Sequence, residues 1–155
     1  MPVAQRQRHA DAILGIAASA ILLAMMLLTV VDVVGRYILK RPVRGAFEVT
    51  ELMLLVLIFA GLPLVSLADE HAVMDFVDRV LGAGALRALQ RAVHVACAAF
   101  LGLLAWLVWL KADRIWDKGD YTDVLHVVYG PFVYFMAVTL GLAGLIHLGK
   151  AAARR

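Results

Sequence analysis

Residues 92–110 read AVHVACAAFLGLLAWLVWL, nineteen positions without a formal charge. At about 1.5 Å per helical residue, such a run covers the roughly 30 Å hydrocarbon core of a bilayer. Trp106 and Trp109 mark its exit, the depth at which amphipathic rings settle. Three more stretches share this character, at residues 13–31, 47–67 and 124–148, so each apolar run is nineteen to twenty-five residues long. In a chain of 155 residues, four such helices and their connections leave no length for a soluble catalytic domain. The fold expected is an all-α membrane protein, one four-helix domain with spans over about residues 12–38, 46–67, 89–110 and 124–148.

Composition agrees. Hydrophobic residues make up 63% of the chain and charged residues 17%, against about half and a quarter in soluble domains. The fifteen Lys and Arg residues lie in connections and tails rather than in a stripe interleaved with aromatics, so nucleic acid is not an expected partner. The single cysteine, Cys97, sits inside the third span, which excludes a disulfide framework. Arg6, Arg8 and His9 precede the first apolar run in the order of an export signal. That run is longer than a signal core, and Ala18-Ser19-Ala20 fall near its start, so a retained first span is expected.

The richest polar constellation lies where the first span meets the second. Asp32 and Arg36 are spaced i, i+4, suited to pairing on one helix face at the membrane edge. Tyr37 follows, and Lys40-Arg41-Pro42 stops the helix, since proline cannot continue its bonding. A short turn through Gly45 leads to Glu48 and Glu51, three residues apart on the face of the second span. Two carboxylates facing lipid would be costly, so they should look inward or toward headgroups, with Arg36, Arg41 and Arg44 as natural partners. Two uses are open for this edge: a local clasp tying the first helix to the second, or a docking surface for another subunit.

Between spans two and three, Val73, Phe76, Val77, Val80 and Leu81 follow helical spacing while Asp75, Asp78 and Arg79 fall on another side. The segment is too short and too charged to span. It is expected to form a short interfacial amphipathic helix over about residues 72–82. Residues 111–123 alternate in charge and read as an aqueous loop. Even parity puts both termini on one side, where the segments hold eight Lys or Arg against seven on the other, so charge barely sets the orientation.

The apolar centres lack Asp, Glu, Lys and Arg. A pump or autonomous transporter needs substitute ligands there, because an ion cannot cross hydrocarbon unaided. Phosphate-cradling loops, nucleophile elbows and zinc-binding cysteine sets are missing too, and no catalytic, substrate-binding or metal-ligating residue is assigned. The chain is not expected to be an enzyme. One rival reading survives. His94 and His147 fall at similar depth in an antiparallel pair, and two such histidines would suit axial ligation of a haem b in the anchor subunit of an electron-transfer complex.

Asp32-Val33-Val34-Gly35-Arg36-Tyr37, the basic turn ending in Pro42, Glu48 and Glu51 opening the next span, and His71-Ala72-Val73-Met74-Asp75-Phe76 together resemble the small membrane subunit of TRAP transporters, the DctQ-like family. Asp69-Glu70 stand where the family usually carries a basic residue. The resemblance implies a multi-pass protein of the bacterial inner membrane with both termini cytoplasmic. It implies a large permease subunit as partner, carrying the substrate and sodium sites, so no cofactor is expected on this chain. A periplasmic substrate-binding protein would deliver an organic acid. The small subunit would brace the large one within the membrane lipid and contribute to the docking surface. Asp32, Arg36, Tyr37, Arg41, Arg44, Glu48, Glu51, His71 and Asp75 become the candidate structural or interface residues.

Overall fold

In hydrocarbon every backbone N–H and C=O has to be satisfied inside its own segment, which makes the apolar runs helical. A computed structural model describes residues 2–68 and 83–153. Among these residues there are four helices: α1 (Pro2–Tyr37), α2 (Ala46–Ala68), α3 (Ala83–Lys118) and α4 (Gly130–Ala153). All four are long and apolar enough to cross a membrane. Among the described residues the one β-type pairing is an isolated antiparallel bridge, Tyr121 to Val128. The amphipathic helix expected at about residues 72–82 lies outside the described residues, together with His71 and Asp75.

Several boundaries differ from the sequence reading, among them the start of α3 at Ala83 rather than about residue 89 and the end of α4 at Ala153 rather than 148. α1 starts about ten residues before its apolar run. α3 continues past Leu110 through the charged residues to Lys118, because none of them breaks a helix. Gly119 ends it in a left-handed conformation, φ +64°. There the Gly119 N–H donates to the Trp116 carbonyl at 3.2 Å and the Asp120 N–H to the Ile115 carbonyl at 3.2 Å, the Schellman pattern. The fourth helix begins at Gly130 rather than at residue 124. Pro131 explains the shift, since proline is tolerated in a helix only within its first turn.

The helices stand in a row. α3 packs along α4, α4 against α2 and α2 against α1, and no other pair makes more than slight contact. Small residues permit the tightest of these contacts: a Cβ on Gly144 of α4 would lie 3.5 Å from the Ala98 carbonyl oxygen and 3.5 Å from the Gly102 nitrogen of α3. The shared core is thin, built from Leu52, Ala112, Val133, Ala137, Leu140 and Ala143. Burial concentrates in α4, while the most apolar stretches of α1 and α3, the outer members, contain no buried residue. One end of the row carries the 38–45 turn and the loop after α3. The other carries His94, His147 and Lys150.

Candidate functional site

At the loop end, α1 closes on the carboxylate of Asp32. One Asp32 oxygen accepts from the Arg36 guanidinium at 2.7 Å, and the other accepts the Val43 N–H at 2.9 Å. The Arg36 side chain is 59% exposed, so this ion pair alone contributes little. The Val43 bond does more, because it spans eleven residues and fixes the reversal. Lys40 takes a left-handed φ of 55° and turns the chain so that the Arg41 N–H reaches back to the Gly35 carbonyl at 2.8 Å. The Asp32–Arg36 pair expected from the spacing is present, but these bonds tie α1 to its own connection, not to α2 as the expected clasp would.

Glu48 departs from expectation. It pairs with none of the arginines. Its carboxylate is buried and grips the loop between α3 and α4: one oxygen accepts the Val124 N–H at 2.7 Å, the other the Leu125 N–H at 2.9 Å, with the Thr122 hydroxyl beside it. Successive backbone N–H groups in a turn form a ready concavity for an anion, and here the anion comes from the chain itself. Such bonds to a fixed ionised acceptor exceed a solvated ion pair in strength, which decides between the two arrangements.

The loop is shaped to present those groups. Thr122, nearly fully buried, donates its N–H to the Val127 carbonyl at 3.0 Å and accepts the Val127 N–H on its hydroxyl at 3.0 Å. Its carbonyl accepts the His126 N–H at 3.1 Å, with His126 at φ +53°, and the Tyr129 N–H donates to the Asp120 carbonyl at 3.2 Å. Burial, then the Glu51, Glu48 and Asp123 carboxylates, hold the Tyr129 phenol above its ordinary range and keep it neutral. Gly45, at φ +77°, lies against this loop; a Cβ there would enter the Leu125 side chain.

A family model for the DctQ component of tripartite ATP-independent periplasmic transporters matches residues 25–155. The chain belongs to this family. The match takes in Asp32, the reversal, Glu48 and the whole 119–129 loop. A search of curated proteins finds no match to the chain. DctQ proteins are a family of transporter components rather than a family of enzymes.

The remaining candidates distribute as follows. Tyr37, Arg41, Arg44 and Glu51 are exposed, and their side chains make no hydrogen bond or ion pair among the described residues. His94 and His147 do meet at one depth, but their Nδ1 atoms lie 3.2 Å apart in a direct hydrogen bond, with ring centroids 5.5 Å apart. In this contact the two rings bond each other directly, whereas a bis-histidine haem would hold its iron between two ligating nitrogens.

Several linking residues escaped the sequence reading. Thr122 and the 124–125 amides are one group. Another is Tyr134, whose hydroxyl donates to Asp113 at 2.6 Å between α4 and α3, with the Trp109 ring edge-on at 5.2 Å. A third is Lys150, whose ammonium caps the Leu67 carbonyl at the end of α2, 3.0 Å away. The Gly130-Pro131 pair was the available signal for the loop.

Proposed function

We propose that this DctQ chain is the stationary brace of its transporter, held along the flank of a large permease subunit that carries the substrate and sodium sites. The open row carries this reading. Among the described residues, the most apolar stretches of its outer helices contain no buried residue, so a permanent neighbour has wide apolar faces to cover. The threonines inside the apolar stretches support it further. Thr29 bonds the Met25 carbonyl at 2.8 Å, Thr50 that of Ala46 at 2.9 Å and Thr139 that of Phe135 at 3.0 Å. Each is satisfied by its own helix and offers a passing solute nothing.

On this reading both termini are cytoplasmic. The loop end faces the periplasm, where the charged edge contributes to docking of a binding protein that delivers an organic acid. Glu51, exposed and without a hydrogen bond or ion pair among the described residues, and the largely exposed Arg36 are among the groups available for that contact. Arg36→Ala and Glu51→Ala should each reduce permease co-purification or substrate uptake several-fold, about 1–2 kcal/mol of interface energy. Substrate binding by the soluble receptor should stay unchanged. Full complex yield with full uptake in both variants contradicts the assignment.

A further inference from the structure

The reversal between α1 and α2 carries three cations, Lys40, Arg41 and Arg44, all exposed and none in an ion pair among the described residues. The carboxylates that would have neutralised them are already engaged. Asp32 is shared between Arg36 and the Val43 N–H, and Glu48 is consumed by the 124–125 amides. Glu51 remains, a further turn along α2. The cations are held on a reversal fixed by the Asp32–Val43 and Arg41–Gly35 bonds.

Their surroundings are apolar. Ile38 is 73% exposed and Leu39 67%, directly before Lys40, and Phe47, three residues after Arg44, is 81% exposed. The segment lies between a span ending at Tyr37 and one starting at Ala46, which places it at headgroup depth.

The geometry points to a binding corner for an anionic phospholipid: the phosphate of its headgroup sits among Lys40, Arg41 and Arg44, and its acyl chains lie along Ile38, Leu39 and Phe47. Charge complementarity selects the ligand, because three cations outside any ion pair among the described residues favour a negative headgroup over a zwitterionic one at this depth. The exposed side chains beside them supply the apolar contact that a free phosphate could not use. This inference stands apart from the bracing role, since it concerns the chain's own contact with lipid.

The test is native mass spectrometry of the full chain, with whatever companions co-purify, from micelles doped with phosphatidylglycerol or phosphatidylcholine. The unaltered chain should retain phosphatidylglycerol preferentially. The triple variant Lys40→Gln, Arg41→Gln, Arg44→Gln should bind it roughly 100-fold more weakly, at about a kilocalorie for each cation. The charge-keeping variant Lys40→Arg, Arg41→Lys, Arg44→Lys should retain it. If the glutamine variant does not fold, a salt titration of the unaltered chain decides, with release at high ionic strength supporting the corner and salt-insensitive retention overturning it. Equal retention of the two lipids overturns the proposal, and so does undiminished phosphatidylglycerol binding by the glutamine variant. Displacement of the lipid by inorganic phosphate would show a site for the free anion instead. Loss of permease capture with lipid binding intact would make the corner a subunit contact.

Discussion

Gly45→Val is expected to pull the 119–129 loop away from α2 and to lower stability by about 2–6 kcal/mol. Two costs combine. At φ +77° the backbone occupies a region that a β-branched residue enters only under strain, about 1–3 kcal/mol. The new Cβ also points into the Leu125 side chain, and overpacking of this kind typically costs about 1–3 kcal/mol more. Thermal unfolding in detergent should show a melting temperature several degrees lower, with faster proteolysis within residues 119–129. Adding Leu125→Ala should recover the part due to crowding and leave the part due to backbone strain, so the double variant separates the two. An unchanged melt for Gly45→Val would mean that the loop does not rest on α2 as described.

Glu48→Gln should prove nearly as damaging as Glu48→Ala. The carboxylate uses both oxygens as acceptors, one for each of two adjacent N–H groups. An amide supplies one acceptor and turns its NH2 toward the other N–H, donor against donor. Alanine removes both acceptors at once and leaves the two N–H groups without the buried carboxylate that holds them. Hydrogen exchange reads this directly: protection of the Val124 and Leu125 amides should fall by roughly tenfold or more in both variants, while the α3–α4 contact keeps its protection. If Glu48→Gln left those two amides as protected as before, the carboxylate grip would be wrong.

The four helices were legible because hydropathy and length leave few alternatives for runs of nineteen or more apolar residues. The Asp32–Arg36 pair, the stop at Pro42 and the matched depth of His94 and His147 followed from helical spacing and antiparallel order. The partners of Glu48 did not, for they lie 76 and 77 residues away. Nearby arginines offered a simpler pairing, and nothing in the residue types shows that a turn with His126 at positive φ will aim two amides at one carboxylate. The end of α3 was misread because alternating charge resembles a loop, although only Gly119 in that stretch stops a helix. The start of α4 was misread because residues 124–129 are apolar enough to pass for helix, and hydropathy outweighed the Gly130-Pro131 punctuation. The row arrangement is set by which faces pack, and helices apolar on every side do not declare that in their sequence.

Reconstitution into liposomes tests the bracing role most directly, comparing this chain alone, the large permease with the binding protein, and all three together. The account predicts no solute accumulation by this chain alone and uptake that requires it alongside the permease. Accumulation driven by this chain alone would contradict it.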